Sequence, residues 1–302
     1  MMSGHSPIRI EFFGQTAVYR PIRNSADLSQ QGLCMRSFEP PKDLRHVVAT
    51  FWEYSATEQH CPIQVFPSGC CSLGFTSLAG ELYGYFYGPI TGSSVLGEFF
   101  SGRVYFGVAF QPGAELLLNA FSLGEIAGQR IDVADVWGQE IRQLTNNRLH
   151  HEHDARYAFL VELLRRVIRK ANTKNRDCNR LVSNYLSQPT ANIHELAFSA
   201  GVNDRRLRRF FHNSVGLSPK AFESIVRVQT ALSQLVHTST PIGQLATEAG
   251  FADQAHFTRR LRSSVGDSPL SFRQKVQSNR PLSMERSRSW QSLGYDIVNR
   301  IR

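Results

Sequence analysis

The sequence lacks a run of 18 apolar residues, and its N-terminus lacks a basic segment followed by an apolar one. A membrane-spanning helix needs about 20 consecutive apolar residues, and a secretory signal needs that N-terminal pattern. The chain has five cysteines (Cys34, Cys61, Cys70, Cys71 and Cys178), and their irregular spacing gives no disulfide framework. We therefore expect a cytoplasmic protein with reduced thiols and no membrane partner.

Groups that resemble metal or catalytic sites are also scarce. The tract 150–153 (HHEH) is rich in metal ligands. A metal site would need these side chains held in place by structure, but the tract reads as a solvated loop before a helix. His46 and His60 stand far apart, unlike the His-x-His pair of a barrel metalloenzyme. Cys34, Cys61, Cys70 and Cys71 could be four zinc ligands, but paired Cys-x-x-Cys spacing is absent, and adjacent Cys70 and Cys71 point to opposite faces of an extended chain. This favours small buried side chains over a zinc site. We expect no catalytic residue, no metal and no cofactor, and hence no enzyme.

The charge of the chain is divided unevenly between its halves. The 302 residues carry a net charge of +9, with 41% hydrophobic and 20% charged residues, which suits about two globular domains. Residues 1–155 hold 10 Lys/Arg against 15 Asp/Glu, whereas residues 156–302 hold 24 against 10. A basic half of this kind is typical of a protein that binds nucleic acid.

The acidic half is rich in short aromatic and β-branched segments separated by Gly, Pro and Ser. The predicted strands lie within 7–30, 46–54, 64–77, 81–92, 94–102 and 103–115, and helical segments follow at 115–123 and 133–149. Many short strands at this spacing predict a barrel or a sandwich. Residues 155–171 form an amphipathic helix that either mediates dimerisation or packs on its own barrel, and 172–176 is the predicted linker.

The basic half contains an internal repeat. Residues 201–219 and 250–269 align with an offset of 50, so that Val215-Gly216 matches Val265-Gly266. In each copy a short apolar helix ends at a glycine, a polar pair caps a second, basic helix, and Ser-Pro begins a third helix. Helix, glycine turn and basic helix, found twice, predict two helix-turn-helix motifs.

Residues 177 to 277 resemble the two-motif DNA-binding domain of the AraC/XylS family of bacterial transcription regulators. The best-matching positions are Gly250, Phe251, Asp253, Gln254, His256, Phe257, Arg259, Gly266, Ser268, Pro269, Phe272 and Arg273, while Ala255 and Leu261 depart from the usual Ser and Phe. The resemblance implies double-stranded promoter DNA and RNA polymerase as partners, activation rather than repression, and a bacterial protein that associates with the nucleoid when bound.

The first half resembles a group of AraC-type regulators with a cupin-like β-barrel sensor. The resemblance rests on Phe66, Pro67, Gly69, Cys70, Gly88, Pro89, Gly107, Val108, Phe110, Pro112, Gly113, Leu117, Leu118, Asp135, Trp137 and Gly138. It implies a barrel that senses a small-molecule effector or forms a homodimer, without identifying effector-binding residues.

We therefore predict a two-domain α+β protein with a cupin-like β-barrel and an all-α domain. The predicted division is a barrel at 1–150, an amphipathic helix and linker at 151–176, a DNA-binding domain at 177–278 and a C-terminal extension at 279–302.

The two basic helices are the predicted recognition helices. Leu207, Phe210 and Phe211 form the buried stripe of the first, and Phe257 and Leu261 that of the second. On the outer faces we assign base contacts to Arg205, Arg208, Arg209, Gln254, Thr258 and Arg259, and phosphate contacts to Arg206, Arg260, Arg262 and Lys220. Two such helices would enter successive major grooves about 34 Å apart.

Three functions fit this sequence. The first is a ligand-responsive transcription regulator, the second is a thiol- or metal-based barrel enzyme fused to a DNA-targeting module, and the third is a DNA-binding regulator whose barrel only dimerises. An aromatic set with Arg103 as an anion partner either lines a ligand pocket or forms ordinary barrel core. That set is Tyr83, Tyr85, Phe86, Tyr87, Phe99, Phe100, Tyr105 and Phe106.

Overall fold

A computed structural model provides the fold of the chain. It describes residues 11–13, 16–18, 32–78, 81–90, 95–114, 122–138, 152–170, 176–187, 192–199, 201–278 and 288–289. The predictions for 115–121, 139–149 and 172–175, and for most of the extension 279–302, lie outside these residues.

Eleven strands occur in the described residues, nearly all in the first half, where the alternating segments predicted strands. They are β1 (Glu11–Phe13), β2 (Thr16–Val18), β3 (Leu33–Phe38), β4 (Val48–Ala56), β5 (His60–Val65), β6 (Ser72–Leu78), β7 (Glu81–Tyr87), β8 (Val95–Phe100), β9 (Val104–Phe110), β10 (Arg130–Asp132) and β11 (Arg288–Ser289). Those at Leu33–Phe38, Arg130–Asp132 and Arg288–Ser289, and most of His60–Val65, lie outside the predicted segments. β1 pairs with β2 alone, and the other nine strands form two further sheets.

The predicted closed barrel is wrong for the described residues. Six strands form an antiparallel sheet in the order β10-β7-β6-β9-β4-β3, and β11-β8-β5 form a separate three-stranded sheet. The consecutive strands β5 and β6 therefore lie in different sheets, because the loop between them, residues 66–71, runs against the C-terminal helices instead of turning back as a hairpin. The ladder that would close the barrel at this point is absent.

One face of the six-stranded sheet packs against the amphipathic helix. This helix, α2, spans His153–Lys170, and its Leu160 and Leu164 are buried in the sheet core. Phe159 contacts the Phe75 ring edge to face, with centroids 5.5 Å apart. The apolar stripe therefore covers its own sheet, which is one of the two roles that its spacing left open. The short helix α1 (Val133–Trp137) covers the same core.

The start of α2 differs from the sequence prediction. His153, read as part of a solvated loop, is the first residue of the helix, and its Nδ1 lies 2.7 Å from Oε2 of Glu53 on β4. Arg156, one turn further, donates two hydrogen bonds to the same carboxylate, at 3.0 and 2.9 Å. A partner 100 residues away gives no local sequence signal, which explains the error.

The second half of the chain is helical. Its helices are α3 (Arg176–Ser187), α4 (Ile193–Ser199), α5 (Asp204–Phe210), α6 (Pro219–His237), α7 (Ile242–Glu248), α8 (Gln254–Val265) and α9 (Pro269–Gln277). The first helix-turn-helix consists of α4 and α5, the second of α7 and α8, and the long α6 connects them. Among the helices described, none is both long and apolar enough to cross a membrane.

Candidate nucleic-acid interface

The turn of the first motif has the geometry that its sequence predicts. Gly201 adopts a φ of 69°, a left-handed conformation that strains other residues. Asn203 then caps α5, because its side-chain oxygen accepts a hydrogen bond of 2.9 Å from the backbone N–H of Arg206. The turn and the cap together fix where the basic helix begins.

The second motif repeats this arrangement, with its glycine 49 and its cap 50 residues later. Gly250 has a φ of 77°, and the carboxylate of Asp253 accepts a hydrogen bond of 2.6 Å from the backbone N–H of His256. The helices after both motifs also begin alike, with Ser218 and Ser268 as caps before a proline. The internal repeat in the sequence is thus a repeat of structure.

The recognition helices do not end alike. After α5 the chain widens into one turn of π-helix, Phe211–Val215, whereas α8 continues as α-helix to Val265. Both end at a left-handed glycine, Gly216 or Gly266. Nothing in the aligned sequences signals the π turn.

The arginines of α5 lie on its exposed face. Leu207 and Phe210 are buried at 0% and 5% exposure. The structure places on the opposite side the four exposed arginines Arg205, Arg206, Arg208 and Arg209. The buried stripe is as predicted, and the helix presents four cations outward in five residues.

The corresponding face of α8 presents an amide, a hydroxyl and a guanidinium instead of four arginines. Gln254 and Arg259 are exposed and Thr258 is half-buried, while Phe257 and Leu261 are completely buried. The Gln254 side-chain oxygen lies beside Gly243 of α7, 3.2 Å from where a Cβ there would stand. Its amide is thus at the first turn of the helix, the part that meets base edges in helix-turn-helix proteins.

Two basic side chains of the second motif have protein partners that sequence reasoning missed. Arg260, predicted to contact phosphate, hydrogen-bonds to the Ser224 hydroxyl of α6. Arg273 donates to the Thr240 carbonyl oxygen at 2.7 Å and so joins α9 to the loop before α7. Because these partners are more than 30 residues away, only the fold reveals them.

The first recognition helix contains one acidic side chain. Asp204 lies 3.0 Å from Nδ1 of His194 and 3.9 Å from the Arg208 guanidinium. The hydrogen bond from His194, followed by the two nearby charges, holds the pKa of Asp204 below its usual value. The carboxylate therefore stays ionised at the N-terminal end of α5, where the helix dipole favours it, and neutralises little of the arginine face.

The described cysteines do not resemble a reactive site. Cys61, Cys70 and Cys71 are buried, and burial raises the pKa of the Cys71 thiol to about 12, which keeps it protonated and poorly nucleophilic. Cys34 is exposed, contrary to the prediction of buried thiols. Cys70 and Cys71 do point to opposite sides, one into the helical core and the other into the sheet core.

Two family matches cover separate parts of the chain. Residues 196–275 match a family described as a helix-turn-helix domain, and residues 36–132 match a domain of unknown function (DUF6597). The first match contains both turns, both recognition helices and α6. The second contains most of the described strands.

Curated proteins similar to parts of this chain are transcription regulators. The arabinose operon regulatory protein of Salmonella typhimurium is 27% identical over 149 residues, which are 49% of this chain and 52% of that protein. The transcriptional activator NphR of a Rhodococcus species is 28% identical over 96 residues, 32% of this chain and 28% of that protein. The chain thus spans about half or less of these relatives, which are regulators and not enzymes, in line with the sequence prediction.

A similar solved structure is that of a transcriptional regulator with an AraC-type DNA-binding domain from Chromobacterium violaceum. It is 24% identical, covers 33% of this chain and 91% of its own, and has a TM-score of 0.32, too low to bear on the arrangement of the molecule. The family match and the curated relatives agree with the paired turns, caps and basic helices described above. Residues 196–275 therefore form a helix-turn-helix domain, which resembles that of AraC-type regulators such as the arabinose operon regulatory protein.

Proposed function

We propose that the chain regulates transcription by reading promoter DNA with α5 and α8. The observation that carries the proposal is the arginine face of α5, which is exposed directly after a capped glycine turn while Leu207 and Phe210 anchor the helix. Arginine donates two hydrogen bonds to guanine O6 and N7, and a good pair contributes about 1–3 kcal/mol of discrimination.

Base reading is assigned to Arg205, Arg208 and Arg209 in the first motif, and to Gln254, Thr258 and Arg259 in the second. Phosphate contact is assigned to Arg206, Arg260, Arg262 and Lys220. Phosphate contacts add affinity without sequence information. The tie between Arg260 and Ser224 favours a fixed phosphate contact, because the side chain is already positioned. With α6 as a rigid connection, the two helices would enter successive major grooves, about 34 Å apart.

Selected-site binding on random duplex DNA tests this proposal, followed by binding of Arg209→Ala to the selected site and to a random duplex. We expect the substitution to weaken specific binding by about 1–3 kcal/mol and non-specific binding much less. Arg36→Ala, which removes the same charge from the exposed surface of β3, is the control and should bind as the unaltered chain does. Equal losses on both duplexes would remove Arg209 from base reading.

The N-terminal sheets are proposed to sense a small ligand or to dimerise. The second face of the six-stranded sheet carries, in one row, Tyr85, Gly74, Gly107 and Trp52 on β7, β6, β9 and β4. The glycines leave room that the Trp52 ring occupies, 3.1 Å from where a Cβ on Gly74 would stand. Arg130 lies over the Tyr85 ring, 4.4 Å from its centroid. Aromatic rings beside a cation suit a small anionic ligand.

A thermal-shift screen with small aromatic carboxylates tests the sensor role. A ligand that raises the melting temperature of the unaltered chain should fail to do so with Tyr85→Ala, while Tyr157→Phe, altered on the opposite face of the sheet, should respond normally. No response to any ligand, together with a dimer that forms as concentration rises, would favour the dimerisation role instead.

Several finer points remain part of this proposal. They are the domain boundaries at 150, 176 and 278, the cupin-like character of the N-terminal domain, activation through RNA polymerase, and a cytoplasmic location at the nucleoid. The named activator among the relatives supports activation. The enzyme alternative loses support, because the relatives are regulators and the Cys71 thiol is held protonated.

A further inference from the structure

The loop between β5 and β6, residues 66–71, contacts equivalent positions of both helix-turn-helix units. The Phe66 ring meets Phe272 edge to face, with centroids 6.4 Å apart. Gly69 lies so close to Phe222 that a Cβ there would stand 3.0 Å from the ring. Phe222 and Phe272 match under the 50-residue offset of the repeat. One loop, which we call the bridging loop, thus touches the same position in each copy.

The bridging loop contributes to the apolar cores of both helix-turn-helix motifs. Phe66 is 1% exposed and lies in the core of the second motif with Phe257 and Leu261. Cys70 lies in the core of the first motif with Phe211. Among the described residues these cores are distinct clusters, and α6 contributes its first half to one and its second half to the other. The bridging loop therefore joins the two motifs a second time, alongside α6.

Two buried glutamine side chains fix the orientation of the helices relative to the sheets. Gln229 of α6 donates a hydrogen bond of 2.8 Å to the Pro67 carbonyl oxygen of the bridging loop. Gln64, at the end of β5, donates one of 3.0 Å to the carbonyl oxygen of Val265, the last residue of α8. Both glutamines are 0% exposed. A buried amide that loses its partner is costly, so these hydrogen bonds hold α6 and α8 in one orientation relative to the sheets.

The first motif has a matching support at the end of its recognition helix. The backbone N–H of Leu123 donates to the Asn213 carbonyl oxygen at 2.8 Å. A Cβ on Gly216 would collide with Pro89 and with the carbonyl oxygen of Leu123. The N-terminal unit therefore packs closely against the turn at Gly216. The C-terminal ends of both recognition helices thus rest on the same N-terminal unit.

We propose that Gln64 and Phe66 are positioning residues that set the spacing between the two DNA boxes this protein prefers. They do so by holding the second motif at a fixed distance and angle from the first. The helix α6 connects the two motifs at one place, and the bridging loop adds a second connection. The DNA readout rests on the proposed function, whereas the constraint on the helices can be measured without DNA. A change in the sheets that moves β5 or β6 would be passed to both recognition helices through this loop.

The test compares Phe66→Ala with the unaltered full-length chain on duplexes carrying the two selected boxes. The spacer is kept as selected, or lengthened or shortened by about half a helical turn, roughly five base pairs. We expect the unaltered chain to prefer the selected spacer about tenfold or more, and Phe66→Ala to lose most of that preference while still binding each box. Phe66→Leu, which restores apolar volume, should recover it.

Phe38→Ala is the matched control, because Phe38 lies on the edge strand β3, packs on Tyr157 of α2 and should leave the spacer preference unchanged. Gln64→Leu removes the tie to α8 at similar volume and should behave like Phe66→Ala even if the latter folds poorly. A spacer preference in both bridging variants equal to that of the unaltered chain overturns the proposal.

Amide hydrogen exchange separates this proposal from the proposed function. In Phe66→Ala and Gln64→Leu the amides of α8 should exchange about tenfold faster or more, because core and hydrogen-bond support is lost. If the unaltered chain selects no DNA site, the proposed function fails, and the exchange result alone decides the bridging role. Unchanged exchange of α8 in both variants refutes it.

Discussion

At the scale of single residues, the carboxylate of Glu53 is a point on which the N-terminal unit depends. It receives two hydrogen bonds from Arg156 and one contact from His153, and the Arg156 side chain is 6% exposed. Burial acts to raise the pKa of Glu53, but the hydrogen bonds from Arg156 and His153 outweigh it and hold that pKa below its ordinary value. Loss of the carboxylate would leave a buried guanidinium without its main anion.

Glu53→Gln should lower the free energy of unfolding by about 3 kcal/mol near neutral pH, because breaking a buried pair leaves an uncompensated charge. A depressed folded-state pKa stabilises the folded chain above the unfolded value of 4.5 and loses that effect as pH falls through the folded pKa. The gap between the variant and the unaltered chain should therefore narrow in acid. Urea unfolding at about pH 7 and about pH 4 measures both effects.

The control for this prediction is Asp43→Asn. Asp43 forms a two-fold hydrogen-bonded pair with Arg165 on the same helix α2, but both side chains are about half exposed. Solvent screens such a pair, so its removal should change stability little at either pH. A loss as large as that of Glu53→Gln would show that attachment of α2, and not burial of the charge, is what matters.

At the scale of helices and strands, local chemistry decided most of the boundaries. The pair Gly201 and Asn203, and the pair Gly250 and Asp253, predicted two turns and two caps, and all four residues act as predicted. These signals are readable because the partner of each cap lies three residues away. By contrast, the Arg260–Ser224 and Gln64–Val265 contacts join distant residues, and the sequence offered no sign of them.

Asn203→Ala should lower stability by about 1 kcal/mol, because the backbone N–H of Arg206 loses its acceptor at the start of α5. Thermal unfolding measures the loss. Thr247→Ala, at an exposed position whose hydroxyl donates to the Gly243 carbonyl oxygen of its own helix, should be nearly neutral. If both variants melt alike, the cap contributes nothing that an ordinary exposed hydroxyl does not.

At the scale of the whole molecule, composition predicted which half forms sheets and which half forms the helical motifs, but not how the two halves pack together. The acidic half forms the sheets and the basic half the paired motifs, as the charge count and the repeat indicated. The closed barrel was wrong because the Pro-Ser-Gly segment at 67–69 predicts only a turn between two strands. The packing of that loop depends on Gln229 and Phe272, which lie more than 150 residues later in the chain. Periodicity reports which face is buried and carries no information about what covers it.

The uneven distribution of charge predicts how the affinity for DNA depends on salt concentration. Each phosphate neutralised by a basic side chain releases counterions, so the logarithm of the DNA association constant falls linearly with the logarithm of salt concentration. Lys220 and Arg206 are exposed and assigned to phosphate. Alanine at either position should weaken binding to selected and random duplexes alike and reduce the salt slope by about 1. Arg209→Ala should instead weaken selected-site binding mainly, so a larger slope change there than at Lys220 would reverse the two assignments.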